Sequence, residues 1–192
     1  MTVKKGYILL TDTGTLFTKL IKLYTKKPYN HASIAFDPDL SEVYSFGRKS
    51  ARNPFAGGFV KEDITSDLFN QADCAIYSFT ITDIQWQKMY QYIQNIEAQK
   101  KHYRYNCLGL FGFILNRPIK RKKAFFCSQF VASVLKECNI VDFGKPLSLI
   151  APYDLQNVPD FQLVYQGELK DYHHEHTDDT VYVPFHVAAV EM

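Results

Sequence analysis

The sequence has no apolar run approaching the ~18 residues of a membrane-spanning helix. Behind its first lysines only Ile8-Leu9-Leu10 forms an apolar core, too short for the hydrophobic region of a secretory signal. Cysteine is scarce, with four residues at 74, 107, 127 and 138 and no CxxC pair. That spacing excludes a zinc ribbon or a thioredoxin-type motif. Together these absences imply free thiols in a reducing, intracellular setting, and a cytoplasmic location is the expectation. Excess charge is also lacking: the net value is +2, so no strongly charged partner is implied. Basic residues are scattered except at Lys120, Arg121, Lys122 and Lys123, which argues against a nucleic-acid stripe. There is no internal repeat and no linker-like segment.

Aromatic residues are abundant instead, with 15 Phe and 13 Tyr in 192 residues, so most of the chain has the means to build a core. The expectation is one α+β domain over residues 1–192, with an antiparallel sheet packed against helices. Strands are expected at residues 7–10, 31–36, 42–46, 59–60, 74–82 and 161–165, with a further apolar stretch at 181–183. Asp37-Pro38-Asp39 is the turn of a hairpin. Leu16, Phe17, Leu20, Ile21 and Tyr24 recur at helical spacing. Thr82 and Gln85 have capping-box spacing ahead of a helix marked by Trp86, Met89, Tyr90, Ile93 and Ile96. Residues 107–115 read as a buried helix.

Chemistry concentrates at Phe126-Cys127-Ser128-Gln129-Phe130-Val131. Val131, Val134, Leu135 and Cys138 fall on one face of a helix that begins at Cys127. The first turn of a helix carries unpaired N–H groups and the positive end of the macrodipole. A thiolate placed there is stabilised, and its nucleophilic fraction at neutral pH rises. The competing reading is a buried, inert core cysteine.

A thiol nucleophile needs a base held by a third polar group. His31 is the best-placed histidine. It opens a strand whose alternation puts Ser33 and Ala35 on its own face, leaving small side chains that a helix can approach. On the following strand Ser45 is placed to accept the second imidazole N–H, with Glu42 and Glu62 as acidic alternatives. Glu62, after Gly57-Gly58, reads first as a solvated loop carboxylate and second as a group that meets a substrate amine. Tyr103 and Tyr105 are candidate substrate contacts, although tyrosines this frequent are commonly packing residues. The cluster His173-His174-Glu175-His176 has no distant partner ligand and reads as a solvated loop, so neither metal nor cofactor is expected.

A histidine opening an early hairpin, with a cysteine opening a helix far downstream, reverses the papain order. The strand His31-Ala32-Ser33-Ile34-Ala35-Phe36, its partner Val43-Tyr44-Ser45 and the Cys127 helix start resemble the circularly permuted NlpC-like, papain-like cysteine hydrolases of the YaeF/YiiX type. The likeness extends over roughly residues 5–140. It implies a Cys127–His31 pair completed by Ser45, where relatives commonly carry a stronger acceptor. It also implies amide hydrolysis of small, cell-wall-type peptides or, in a distant branch, acyl transfer from lipids.

The function expected from all of this is a thiol-dependent amidase or peptidase acting on a small peptide or amide. Two other readings stand beside it. One is a lipid acyltransferase or hydrolase at a membrane surface, suggested by the apolar run at 108–115 next to the basic cluster, although a core helix and a solvated loop are favoured there. The other is a non-catalytic binding module. Nothing in the residues bears on oligomeric state.

Overall fold

The computed structural model describes residues 3–12, 26–48 and 57–173. The helix expected at 16–24, the apolar stretch at 181–183 and all but His173 of the histidine cluster lie outside the described residues. The strands are β1 (Val3–Asp12), β2 (His31–Ala35), β3 (Val43–Arg48), β4 (Gly57–Glu62), β5 (Asp73–Thr82), β6 (Arg104–Tyr105), β7 (Ala124–Phe125) and β8 (Gln162–Glu168). The helices are α1 (Asp67–Asn70), α2 (Asp83–Ala98), α3 (Cys107–Ile114), α4 (Cys127–Glu137) and α5 (Pro152–Gln156). Six strands form one antiparallel sheet in the order β4-β3-β2-β1-β5-β8, while β6 and β7 pair in parallel as a separate two-stranded unit. The α+β expectation is met.

The central strand β1 is buried from Gly6 to Thr11, because both faces of the sheet are covered. Alternation sends Ile8 and Leu10 to a large core shared with Ala32, Ile34, Phe46, Met89 and Phe130. Tyr7 and Leu9 go to a smaller core with Ala35, Val43, Cys74, Ile76 and Leu169. The hairpin around Asp37-Pro38-Asp39 forms as expected, with both Asp37 carboxylate oxygens accepting backbone N–H groups from Ser41 and Glu42.

Helix α2 starts with the expected capping box. Thr82 accepts from the Gln85 N–H at 3.2 Å, and Gln85 Oε1 accepts from the Thr82 N–H at 3.0 Å. The Gln85 side chain also donates to the Asn139 carbonyl at 2.8 Å, tying this helix start to the end of α4.

Helix α4 is buried on every side from Cys127 to Leu135, more than a one-faced pattern implies. Its polar side chains are therefore paired. Ser128 donates to the Ile150 carbonyl at 2.7 Å, Ser133 donates to the Phe130 carbonyl at 2.8 Å, and Gln129 accepts from Asn106 at 3.3 Å. The helix ends in a Schellman turn: Asn139 takes a left-handed φ of 54° while Asn139 N–H and Ile140 N–H return to the carbonyls of Lys136 and Leu135.

Phe130 sits at the hub of an aromatic cluster. Its ring centroid lies 5.1 Å from Phe46, 5.8 Å from Phe59 and 6.4 Å from Phe125. This cluster joins α4 to β3, β4 and β7. Helix α3, by contrast, departs from its expected burial: Leu108 is 55% exposed, and Leu115 just beyond its end is 69% exposed. Replacing Phe130 by Ala empties the hub and is expected to lower unfolding free energy by about 3–5 kcal/mol. Denaturant titration measures this, and an unchanged midpoint contradicts the assignment.

Candidate active site

The β2–β3 ladder pairs only Ile34 with Tyr44 and Ala35 with Val43. Over His31 to Ser33 the two strands are therefore no longer hydrogen-bonded to each other. The side chains of His31, Ser33, Ser45 and Glu62 converge at this opening, and the first turn of α4 brings Cys127 to it. The His31 and Cys127 side chains face each other closely enough for each to shift the other's pKa. His31 Nε2 lies 2.7 Å from Glu62 Oε1, which leaves Nδ1 for the sulfur.

Ser45 does not hold the imidazole. It donates to Glu62 Oε1 at 2.6 Å, and Ser33 donates to Glu62 Oε2 at 2.5 Å. The cause is register. Strand β4 runs on to Glu62, which pairs across from Val43, while Ser45 pairs across from Val60. The longer acidic side chain then reaches the histidine and outcompetes a hydroxyl for its N–H. Glu62 is correspondingly no solvated loop group: its side chain is only 7% exposed, and Gly57-Gly58 begin a strand rather than a turn. The small-residue face of β2 makes room for this carboxylate, whereas the body of α4 packs on the opposite face, with Ala32 and Ile34.

Three buried charges need mutual compensation. Burial pushes the Glu62 pKa upward, but the His31 charge and the hydrogen bonds from His31, Ser33 and Ser45 bring it below the usual carboxylate value. Burial pulls His31 down, but the Glu62 charge and the bonds to Cys127 and Glu62 lift it to about 10. Burial raises Cys127, but the His31 bond and charge, with N–H groups of Ala32 and Ser128, carry it below the ordinary thiol value. The Ser128 N–H belongs to the first turn of α4, as expected for a helix-start cysteine. Each of the three groups thus favours the charged form of its neighbour: carboxylate, imidazolium and thiolate support one another. Cys74 and Cys138 behave oppositely, with burial pushing them up to about 12 and about 11.

Beside Cys127 lies a narrow, mostly apolar slot lined by Asn30, Tyr105, Phe113, Phe126, Ile150 and Pro152. Tyr105 thus stands at Cys127, and burial together with the charges of Cys127 and Cys107 raises the pKa of its hydroxyl. Tyr103 does not line it. Its ring packs against Phe46 and Phe125 under Lys123. Glu42 turns away to pair with Lys61 at 3.1 Å. A wider hollow on another side of Glu62, lined by Asp39, Ser41, Lys61, Asp63 and Thr65, holds neither cysteine nor histidine. Among the described residues no group of three or more His, Cys, Asp or Glu is arranged to hold a metal ion, and no helix is long and apolar enough to cross a membrane.

Sequence reasoning ranked Glu62 behind Ser45 as the partner of His31, and the signal it did not use was strand length. Extending the expected strand at 59–60 by two residues puts Glu62 on the same face as Val60, towards Val43 and Ser45. Asn30 was missed. It lines the slot and donates from Nδ2 to Asp12.

Comparison with protein-family models, with curated proteins and with solved structures found no match.

The electrostatic arrangement has a direct readout. Alkylation of Cys127 followed across pH, by mass spectrometry of its peptide, is expected to reach half its plateau rate below pH 9.0. His31→Ala removes the hydrogen bond and the positive charge, so burial then moves the midpoint above pH 9.0. Identical midpoints in the two proteins contradict the thiolate–imidazolium pair.

Proposed function

We propose that this protein is a cysteine hydrolase that cleaves the amide bond of a small peptide or amide through a thioester intermediate. The single observation that carries the reading is the continuous chain from Cys127 to His31 to Glu62, with the sulfur at a helix start. The order of these elements, histidine strand before cysteine helix, is what a circularly permuted papain-like arrangement produces. The four free thiols suit a reducing, cytoplasmic setting.

In this mechanism the Cys127 thiolate attacks the substrate carbonyl carbon. The carbonyl oxygen becomes an oxyanion beside the first turn of α4, where the Cys127 N–H has no intrahelical partner. His31, already protonated, gives its proton to the departing amine as the C–N bond breaks. That leaves a thioester and a neutral imidazole. Water then loses a proton to His31 and attacks the thioester, releasing the acid and restoring thiolate and imidazolium. Glu62 fixes the orientation of the ring and stabilises the imidazolium. Ser33 and Ser45 hold Glu62 and act through it. A carboxylate in place of a hydroxyl as the orienter of His31 favours chemistry over a non-catalytic binding module.

Two variants test the proposal. Cys127→Ala is expected to abolish both turnover of a chromogenic amide panel and rapid labelling by iodoacetamide. Glu62→Gln is expected to lower kcat by ~10³–10⁴-fold while Cys127 remains alkylatable. Undiminished labelling in Cys127→Ala, or full kcat in Glu62→Gln, overturns the assigned roles.

A further inference from the structure

The segment between β6 and β7 leaves the body of the protein and returns to the same place. Tyr105 pairs with Phe125 and Arg104 with Ala124, so the two-stranded parallel unit forms a neck. Helix α3 and the residues after it hang from this neck, immediately before Cys127. The excursion is folded on itself: Arg117 N–H donates to the Gly112 carbonyl at 2.7 Å, and Ile119 lies where a side chain on Gly112 would be. Phe113 ties it to the slot, with its ring 6.4 Å from Phe126.

Two properties coincide in this excursion. Leu108, Leu115 and Ile119 are 55%, 69% and 36% exposed, three of the seven large apolar side chains exposed among the described residues. Charge is also segregated here. No Asp or Glu occurs between Glu97 and Glu137, while nine of the 22 Lys and Arg residues fall in that interval. Arg117, Lys120, Arg121 and Lys122 are exposed and form no ion pair among the described residues. A net charge of +2 conceals this local excess.

We propose that α3 and the basic loop after it dock on an anionic phospholipid surface, and so bring the mouth of the Cys127 slot to that surface. The aliphatic tips enter the acyl boundary while the cations meet the headgroups. A lipid fits better than a nucleic acid because, among the described residues, the exposed apolar side chains here are aliphatic. Single-stranded nucleic acid is bound by aromatic platforms, and the described aromatic residue of this excursion, Phe113, is turned into the slot. Docking is independent of the thiol chemistry and requires no active nucleophile.

Cosedimentation of the full chain with vesicles tests this, using phosphatidylcholine mixed with phosphatidylserine against phosphatidylcholine alone. At low salt, binding is expected to the mixed vesicles and to weaken as salt is raised. The triple variant Lys120→Ala, Arg121→Ala, Lys122→Ala is expected to lose affinity about a hundredfold, at roughly fivefold per cation. The double variant Leu108→Ser, Leu115→Ser is expected to lose about tenfold or more for vesicles while keeping its affinity for heparin. All five side chains are exposed, and circular dichroism checks that the variants fold. Absence of binding to the mixed vesicles overturns the proposal. So does vesicle binding that ignores the leucines, or an oligonucleotide bound as tightly as the vesicles. The Cys127→Ala protein is expected to bind as the wild type does, which separates this result from any result on catalysis.

Discussion

A carboxylate buried against an imidazole is the constraint from which the site follows. Glu62 cannot be ionised in that position without donors, and it has three: His31, Ser33 and Ser45. Ser45 comes from the adjacent β3, and His31 and Ser33 come from β2 beyond it. The sheet edge is thus a device for supplying hydrogen bonds to one side chain. The charge of Glu62 holds the proton on His31, and the proton on His31 lowers the thiol pKa of Cys127. Each step is local, yet the last depends on a residue on a strand separated from β2 by β3.

Cys127 is carried by the least mobile kind of element available, a helix enclosed on all sides. Its start is held by Ser128 on the Ile150 carbonyl, and its end by the Schellman turn and the Gln85 side chain. Below the site, Phe46, Phe59, Phe125 and Phe130 lock the helix to the strands that supply Ser45 and Glu62. Precision at the sulfur is therefore a property of the core.

What was legible in the sequence was whatever local periodicity or capping controls. The strand at His31, the hairpin turn, the capping box at Thr82 and the helix start at Cys127 all stand where the residues put them. Glu62 was misplaced because its role depends on the pairing of β3 with β4, a non-local register that Phe59-Val60 does not disclose. Ser45 was placed on the correct face but assigned to the wrong neighbour, since alternation gives a side and not a partner. Residues 107–115 read as core because hydropathy cannot tell a buried helix from one whose apolar residues face outward. The acid-free interval from Glu97 to Glu137 was visible in the sequence, hidden only by averaging charge over the whole chain.

The parallel pairing of Arg104 and Tyr105 with Ala124 and Phe125 has a modular consequence. A neck closed by two residues per strand lets the chain leave and return without interrupting the strands that carry the histidine and the acid. Closure entropy grows slowly with loop length, by only about 0.6 kcal/mol for each doubling. The exposed stretch at residues 120–122 is therefore open to lengthening while Phe126 and Cys127 keep their places. Phe113, which lines the slot, and α3, which packs near Leu147–Leu149, are tied to the rest of the fold and do not share that freedom.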